Sequence, residues 1–460
     1  MAPLDLCINT QTPPLAPKPG VAVPDGRTWR LGRDYTPQLG GVVPMMRALL
    51  KSGVGSWIRR PARWVALGTP AFPHEVPTDE GYTFVPVHVS DAERRRYSRF
   101  KEAIWRSFHG PRGFSPSAKD YPGFLAYTYR TADRLLHEAD DHDMFYVNDF
   151  QQILTGGLIG PSAPALLHWH IPLDFRGYPE PVSRFFLKAM EGFDGMVVST
   201  RAGLEELIHV GYHGRAYQLY PFIDPTEQPR PTAQAVRRFA DEHGLAGDGP
   251  ILLTVGRMDS MKRQDILLDA LPKVLRRYPR AKCLIVGGSS FSTASGGLGS
   301  TKGNTWRRHL ESRARALGVK NRVVFAGTVS TRDLACAYAA SDVFVHSAPW
   351  EGFGLVVIEA WTYGRPVVVS RGAGVAELVN DGMNGYTTPP GQASAIADRI
   401  LDLLDHPDRA QRMGAVGAQT ARRCHIERAV PRLREIIERT VEVYEESGVR
   451  APRRIRGWRP

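Results

Sequence analysis

From about residue 143 onward, short β-branched or aromatic runs alternate with amphipathic segments of helix length. This alternation is typical of parallel strands joined by crossover helices, and no other feature restricts the fold so strongly. A helix is predicted at residues 264–278, where apolar residues form one stripe and Arg276 and Arg277 stand at its end. The predicted strands are residues 144–147, 165–168, 196–199, 251–255, 283–286, 323–325, 343–346 and 366–370. We therefore expect an α/β protein with two doubly wound parallel sheets.

The alternation is interrupted once, where turn-forming prolines and then charged residues replace the periodic pattern. Pro221, Pro225, Pro229 and Pro231 precede a polar segment that ends at Gly249-Pro250. A chain of 460 residues is long enough for two domains with separate cores. The expected parts are an N-terminal Rossmann-like domain at 1–222, a hinge at 223–248, a C-terminal Rossmann-like domain at 249–425, a helix packing back on the N-terminal domain at 426–449 and a disordered basic tail at 450–460. The two domains should face each other across a cleft.

The formal net charge of +12 raises the question of nucleic-acid binding. The Lys and Arg residues are scattered along the chain instead of gathered in a stripe with aromatic residues. We interpret the charge as favouring small anionic substrates. A basic nucleic-acid-binding protein is the non-enzyme alternative, and it predicts salt-sensitive binding of random oligonucleotides.

Cysteine spacing and hydropathy indicate a protein of the reducing cytoplasm. Cys7, Cys283, Cys336 and Cys424 are far apart and match no Cys/His metal spacing, so buried thiols and no metal are expected. No apolar run approaches the ~20 residues of a membrane span, so no membrane partner is expected. Both a monomer and a homo-oligomer remain open.

The sharpest motif is Glu351-Gly352-Phe353-Gly354-Leu355-Val356-Val357-Ile358-Glu359, which follows a predicted strand and opens a helix. A glycine turn at a helix start leaves backbone amides pointing outward, and these amides and the helix dipole suit an anionic diphosphate. Glu351 should stay on the loop while Glu359 lies within the helix. One carboxylate can then meet a sugar and the other a ribose.

Two cations follow the predicted strand at residues 251–255, in the segment Gly256-Arg257-Met258-Asp259-Ser260-Met261-Lys262. Ligands of open α/β sheets bind at the carboxyl ends of the strands, where this segment is placed. Arg257 and Lys262 can neutralise a leaving diphosphate, which is work that a divalent metal performs in other enzymes. The two cations are expected to replace a metal.

The first half carries polar residues at predicted strand ends as well. Asp149 follows the strand at 144–147, and His170, fixed by Ile171-Pro172, follows the strand at 165–168. His170 can hydrogen-bond a sugar. The aromatic cluster at Tyr97 and at 105–109 is either a core corner or a wall on which a sugar stacks.

In order and spacing, these residues resemble the retaining GT-B glycosyltransferases, and in particular the trehalose-6-phosphate synthase family. The resemblance runs from Gly40-Gly41 to Glu359 and includes Trp105 to His109, Asp149, His170 to Pro172, the pair Arg257 and Lys262, and Glu351 to Glu359. It implies transfer of glucose from UDP- or GDP-glucose to glucose 6-phosphate, with retention of configuration and without cofactor or metal. The N-terminal domain would bind the acceptor and the C-terminal domain the nucleotide sugar.

The resemblance also implies a role for each matched residue. The catalytic group would be Arg257, Lys262, His170 and Asp149. The donor would contact Gly41, Arg257, Lys262, Glu351, Gly352, Phe353, Gly354, Leu355, Val356 and Glu359. The acceptor would contact Tyr97, Trp105, His109, Asp149, Arg106 and Arg112.

The chain departs from that family at the acceptor phosphate. An Asn-Arg pair near the N-terminus, whose Arg holds the phosphate, is replaced here by Asn9-Thr10. Another cation must then bind the phosphate, and the candidates are Arg106, Arg112, Arg30 and Lys18.

Two further alternatives stay open at this point. A related GT-B transferase of the trehalose or sucrose type would use free glucose or another phosphorylated acceptor, and a sugar-nucleotide epimerase shares the twofold architecture but needs acidic catalysts. The glycine-rich insertion at 289–304 is either a disordered surface loop or a substrate lid.

Overall fold

The structure is a computed structural model that describes residues 3–21, 26–38, 40–69, 72, 74–110, 117–288 and 298–447, with only the backbone of 298–302. The chain divides into two compact units. Asp224–His425 forms unit 2, and the described residues before and after it form unit 1. All of the expected hinge at 223–248 except its first residue therefore lies inside unit 2. The expected basic tail at 450–460 lies outside the described residues.

The strands form a mainly parallel sheet in unit 1, a parallel sheet in unit 2 and a small antiparallel pair in unit 1. In unit 1 they are β1 Leu6–Thr10, β2 Leu15–Pro17, β3 Tyr35–Pro37, β4 Ala62–Leu67, β5 Val76–Pro77, β6 Tyr82–Val87, β7 Met144–Asn148, β8 Ala165–Trp169, β9 Gly195–Val198 and β10 Ala216–Gln218. In unit 2 they are β11 Ile251–Val255, β12 Lys282–Val286, β13 Val323–Gly327, β14 Val343–His346, β15 Val367–Ser370 and β16 Tyr386–Thr388.

The helices connect these strands and cover the sheets. In chain order they are α1 Val42–Gly53, α2 Asp91–Phe108, α3 Tyr121–Glu138, α4 Thr155–Ile159, α5 Glu180–Met190, α6 Arg201–His209, α7 Ala233–Glu242, α8 Gln264–Arg277, α9 Leu298–Ala316, α10 Thr331–Ala340, α11 Leu355–Thr362, α12 Ala393–Asp405, α13 Pro407–Ala421 and α14 Ile426–Glu446. Among the described residues, no helix has both the length and the apolar character that crossing a bilayer requires.

The unit 1 sheet has the strand order β10-β9-β8-β7-β1-β4-β6-β5. Its pairs are parallel except β5 with β6, and the register pairs Cys7 with Arg63 and Phe145 with Ala165. Neighbouring residues of one strand enter different cores, Trp64 on one face and Val65 on the other. Both faces are therefore covered, as in a doubly wound sheet.

Helix α14 completes one of these two cores, although it follows unit 2 in the chain. Leu433, Ile436, Ile437 and Val441 recur at helical spacing and are buried in the same cluster as Trp64. Fully burying an aliphatic side chain contributes about 1.5–3 kcal/mol, so this stripe supplies a large share of the unit's stability. Where the chain returns, the backbone N–H of Ile426 donates to the carbonyl of Ile223, with 3.1 Å between N and O.

The unit 2 sheet has the order β13-β12-β11-β14-β15-β16, with every pair parallel. The order reverses between β11 and β14, and ligands of such sheets bind at the carboxyl ends beside this point. Just past the strands, Gly287 takes φ +140° and approaches so closely that a Cβ there would lie 1.9 Å from the carbonyl oxygen of Gly256. The strand ends in this region are therefore packed backbone against backbone.

The two parallel sheets confirm the predicted fold class. The strands predicted at 251–255 and 343–346 have the observed bounds, and the other predicted strands differ by one or two residues. No strand is predicted before residue 143, where the pattern is less regular, and the structure has β1, β4 and β6 of the unit 1 sheet there.

Candidate functional site

The loop between β14 and α11 carries the acidic motif and is held by a second loop. The N–H of Glu351 donates to Gly372 O over 3.3 Å, and its carbonyl accepts from Gly374 N over 3.0 Å. A Cβ at Gly372 would lie 1.7 Å from the carbonyl oxygen of Pro349, so only glycine allows the two loops to meet. Gly352 and Phe353 are buried beneath this contact. The loop is thus a rigid platform for Glu351.

Helix α11 begins at the end of that loop without a side-chain cap. Gly354 stands at its N-cap with φ +109° and ψ +59°, a left-handed conformation that favours glycine. By helix geometry, the first amides, those of Leu355 and Val356, have no partner within the helix. Together with the helix dipole they form a place for an anion next to Glu351.

Lys262 and Glu351 are brought together from different strand ends. Their side chains form an ion pair between Nζ and Oε2, and both are mostly buried, with 19% and 16% of the side chain exposed. Lys262 ends a short 3-10 helix, Ser260–Lys262, which starts with Asp259 Oδ1 accepting from Met261 N over 3.0 Å. The hydroxyl of Ser347 donates to the carbonyl of Arg263 over 2.8 Å and ties this turn to the end of β14.

Arg257 lies five residues before Lys262 and is partly buried. Its carbonyl accepts a hydrogen bond from Gln264 Nε2 over 2.9 Å, and Gln264 Oε1 accepts from Trp306 Nε1 over 2.7 Å. Gln264 is buried, so these bonds fix the segment after β11 to the start of α8. The segment carries both cations at the carboxyl end of one strand.

Glu359 lies in the second turn of α11, apart from the Lys262–Glu351 pair. Its Oε2 accepts a hydrogen bond from Tyr338 Oη over 2.7 Å, and the Tyr338 ring stacks on Tyr363 with the centroids 5.3 Å apart. Burial raises the pKa of Glu359 to about 7, against the smaller lowering effect of the Tyr338 hydrogen bond. The Glu359 carboxyl therefore exchanges its proton near neutral pH and can accept or donate towards a hydroxyl.

In unit 1, Asp149 takes a backbone conformation that residues other than glycine rarely adopt, with φ 73° and ψ 168°. Its Oδ1 accepts from Phe150 N over 3.0 Å and from His170 N over 3.3 Å. The bond from His170 joins the ends of β7 and β8, and both bonds hold the strained residue in place. Burial raises the pKa of Asp149 to about 6, although the backbone hydrogen bonds lower it.

His170 is part of a buried polar chain at the same strand ends. Its Nε2 lies 3.0 Å from Asn148 Oδ1, and its ring centroid is 4.0 Å from that of His168. His168 Nδ1 in turn lies 2.5 Å from Tyr146 Oη. Burial lowers the pKa of His170 to about 3 and holds that of His168 well below its usual range. Both imidazoles are therefore neutral at pH 7 and act by hydrogen bonding.

The aromatic segment of α2 divides into core and edge residues. Tyr97 is buried against Tyr127, with the ring centroids 4.7 Å apart, and burial, Tyr127 and Asp149 together raise its pKa. Trp105 stacks on His109 with the centroids 4.3 Å apart, and His109 Nδ1 lies 2.9 Å from Trp105 O. Tyr97 thus shares the electrostatic environment of Asp149, whereas Trp105 and His109 form a pair of their own.

The candidate phosphate-binding cations are placed differently from one another. Arg106 is largely exposed and forms an i,i+4 pair with Glu102 at 3.0 Å. Lys18 Nζ donates to Gly32 O, and Arg30 is exposed. Gly41 stands at the N-cap of α1, and Arg112 lies outside the described residues. The described contacts join none of these residues to Asp149 or His170.

Several residues of these networks were missed by the sequence analysis as site candidates. They are Tyr146 and Asn148 on β7, Tyr338 on α10 and His346 at the end of β14. A polar residue at the last position of a buried parallel strand is the signal that marks Asn148 and His346. No sequence pattern near Tyr338 marks it as a site candidate. Within the described part of the chain, no cluster of three or more His, Cys, Asp or Glu residues could hold a metal ion.

A family model and individual curated proteins each match part of this chain. Residues 236–420 match the family model "Glycosyl transferases group 1". A GDP-mannose-dependent alpha-(1-6)-phosphatidylinositol monomannoside mannosyltransferase of Mycolicibacterium smegmatis is 33% identical over 44% of this chain and 50% of its own length. D-inositol 3-phosphate glycosyltransferase 2 of Catenulispora acidiphila is 30% identical over 57% of this chain and 61% of its own. The chain thus spans about half to three fifths of these curated relatives.

Solved structures match over the whole chain but at low identity. Alpha,alpha-trehalose 6-phosphate synthase from Burkholderia multivorans has a TM-score of 0.74 at 17% identity, covering 99% of this chain and 100% of its own. Sucrose-phosphate synthase from Thermosynechococcus elongatus has a TM-score of 0.69 at 20% identity, covering 96% and 100%. These matches show the shared architecture alone, two Rossmann-like domains in one chain.

Proposed function

With the GT-B fold and a group 1 glycosyl transferase segment at 236–420 as premises, we propose that the protein moves a hexosyl group from a nucleoside diphosphate sugar to the hydroxyl of a small acceptor. The observation that carries this proposal is the Lys262–Glu351 pair beside the uncapped start of α11. It places a cation and a set of backbone amides together at the carboxyl ends of β11 and β14.

That arrangement suits the leaving group of glycosyl transfer. Negative charge grows on the diphosphate as the bond to the sugar breaks, and fixed cations and amides stabilise charge that develops in the transition state. Arg257, Lys262 and the amides of Leu355 and Val356 supply this stabilisation, so the reaction needs no metal ion. Glu351 then holds hydroxyls of the transferred sugar, and Glu359 holds the ribose.

The transfer proceeds with retention of configuration, as the resemblance to retaining GT-B enzymes suggests. The bond between the anomeric carbon and the phosphate oxygen breaks, and its electron pair stays on the diphosphate. The acceptor hydroxyl oxygen bonds to the same face of the anomeric carbon, and its proton passes to the departing phosphate oxygen. Asp149 and the neutral His170 orient hydroxyl groups and act by position.

The acceptor that we propose first is glucose 6-phosphate, with trehalose 6-phosphate as the product. The ordered motifs of the sequence and the structural likeness to trehalose-6-phosphate synthase support it. An inositol phosphate is the second candidate, because a D-inositol 3-phosphate glycosyltransferase is among the curated relatives. Both acceptors are phosphorylated polyols, so both need a cation in unit 1.

Product analysis tests the proposal directly. The protein is incubated with UDP-glucose, GDP-glucose or GDP-mannose, each with glucose 6-phosphate, glucose, inositol 3-phosphate or no acceptor, and products are identified by mass spectrometry. Parallel reactions contain EDTA. A glycosylated acceptor formed equally with EDTA supports metal-independent transfer. An isomerised donor without transfer indicates an epimerase, and binding of random oligonucleotides with no use of any sugar nucleotide indicates the basic nucleic-acid-binding alternative.

A further inference from the structure

His346 ends β14 next to the Lys262–Glu351 pair, and the function proposed above assigns it no role. The residue is 4% exposed. Its Nε2 lies 4.0 Å from Glu351 Oε2, too far for a hydrogen bond. Within the described residues this nitrogen has no hydrogen-bond partner. A polar atom buried without a partner is rare in proteins and calls for an explanation.

The imidazole also borders the start of α11. A Cβ at Gly354 would lie 3.3 Å from His346 Nε2, so the edge of the ring faces the turn that precedes the free amides. The nitrogen therefore points at the boundary between Glu351 and the anion site. The glycine at 354 leaves room for the ring in this position.

The charges around His346 come from two elements, the loop that carries Glu351 and the 3-10 helix that ends at Lys262. Burial lowers the pKa of His346 to about 4, Glu351 opposes this shift and Lys262 adds to it. The ring is thus neutral at pH 7 and carries one proton, which its tautomer can place on Nε2.

We propose that His346 is a positioning residue that holds Glu351 when Lys262 turns to a bound diphosphate. In the structure, Lys262 pairs with Glu351 Oε2. A diphosphate at the start of α11 competes for the same ammonium group. A movement of about 1 Å brings His346 Nε2–H within hydrogen-bonding distance of Oε2, so Glu351 exchanges one donor for another and keeps its place. This inference rests on the proposed function, because it assumes that a nucleoside diphosphate binds at Lys262.

The exchange follows from the cost of the alternatives. Without His346, withdrawal of Lys262 would remove a charge-assisted hydrogen bond from a mostly buried carboxylate, and such losses weaken binding of the competing ligand. With His346, the same withdrawal gives a partner to a nitrogen that has none. Binding of the diphosphate thereby gives His346 Nε2 a partner that the described residues do not provide.

Binding of UDP and GDP, measured by calorimetry on the full chain, tests the exchange. These probes lack the hexosyl group, so no hydroxyl of a transferred sugar can substitute for His346. We expect H346L, which keeps the volume but removes the donor, to weaken binding of the preferred nucleotide about tenfold. H346Q, whose amide nitrogen reaches a similar position, should stay within about threefold of the wild type. Thermal melts check that all variants are folded.

The E351Q background separates positioning from a merely structural role. If His346 acts through the Glu351 carboxylate, adding H346L to E351Q should change nucleotide affinity less than twofold. An equal loss from H346L with and without E351Q would overturn the inference, as would unchanged binding by H346L in the wild-type background. Failure of the wild type to bind either nucleotide would instead overturn the proposed function and, with it, this role.

Discussion

Asp149 joins two unfavourable features in one residue, a backbone conformation with φ 73° and ψ 168° and a carboxyl group whose pKa is raised by burial. Strain of this kind costs of order 1–3 kcal/mol and persists where surrounding bonds enforce it. Here the enforcing bonds come from Phe150 N and His170 N. The strained carboxyl thus stands at the ends of two strands for a reason other than stability, which agrees with a role in substrate binding.

The Asp149 carboxyl should make stability depend on pH. Because its folded pKa, about 6, lies above the 3.8 of a free aspartate, the folded state binds the proton more tightly, and this stabilisation is lost as pH rises from 4 to 7. We expect D149N to be more stable than the wild type at pH 7.5, with the gap in unfolding free energy shrinking by about 2 kcal/mol at pH 4.5. Urea unfolding at the two pH values measures the gap. A gap that stays constant would contradict the assigned pKa.

Arg257 and Lys262 should be needed for turnover and dispensable for folding. Removing one group that stabilises charge in a transition state typically lowers turnover by a factor on the order of 10². We expect this loss for R257A and for K262A in the transfer assay. K273A is the matched control, since Lys273 lies on α8 of the same unit and pairs with Asp398. Near-normal transfer by either site variant would contradict the proposed stabilisation of the leaving diphosphate.

For single residues, the sequence indicates a role only where the residue has a telling position relative to a predicted strand. Arg257, Lys262 and Glu351 follow predicted strands directly, so they could be selected as candidates. Tyr338 could not, because its partner Glu359 is 21 residues away on another helix. The strain at Asp149 was equally hidden, since it arises from hydrogen bonds to the next strand.

Among the secondary-structure elements, the strand ends of unit 2 tolerate little change. Gly287 combines φ +140° with a carbonyl oxygen 1.9 Å from the position of its missing Cβ. The obstacle is backbone, which cannot move aside without distorting β11. The packing that shapes this edge of the sheet therefore depends on a glycine outside the recognised motifs.

G287A should destabilise the protein much more than an alanine at another left-handed glycine. We expect a loss of about 3 kcal/mol or more for G287A, since both conformation and contact oppose the methyl group. Gly382, with φ +81° and open space around its Cβ position, provides the control, and G382A should cost about 1–2 kcal/mol. Denaturant unfolding compares the two. Equal losses would mean that the contact with Gly256 relaxes freely.

Sequence periodicity located β7, β8 and β9 of unit 1 and β11 to β15 of unit 2, but it indicated none of the strands before residue 143. Strand β6 contains Pro86, and proline in a run weakens any strand prediction. The structure tolerates it because β5 pairs with β6 only at Phe84 and Thr83, so Pro86 lies beyond the end of that pairing. Strand β1 is five residues long and fully buried, which leaves no alternation to detect.

Across the whole molecule, the two units have separate cores. The clusters of unit 1 include α14 and contain no residue from 224–425, and the unit 2 cluster contains only such residues. Sequence alone indicated two sheets, because each repeats the alternation of strands and helices. A helix at 426–449 that packs back on the N-terminal domain is also expected from the sequence, and the structure places α14 in a unit 1 core.

Residues 1–223 should therefore fold only when α14 is supplied. Without Leu433, Ile436, Ile437 and Val441, the unit loses burial worth about 6–12 kcal/mol, comparable to the stability of an entire domain. We expect residues 1–223 alone to lack a cooperative melt by circular dichroism. Residues 1–223 joined to 426–447 by a short Gly-Ser linker should melt cooperatively. Cooperative melting of both proteins at the same temperature would show that α14 is dispensable.

The bond between Ile223 O and Ile426 N means that the chain leaves the first core and re-enters it at almost the same point. Unit 2 is therefore inserted into unit 1, and both ends of the insertion lie at the same place in unit 1. The segment that matches the family model "Glycosyl transferases group 1", residues 236–420, lies entirely inside unit 2. The two units can thus diverge, or be recombined by design, independently of each other. A replacement for unit 2 needs only to bring its two termini close together, and no strand of unit 1 has to be interrupted.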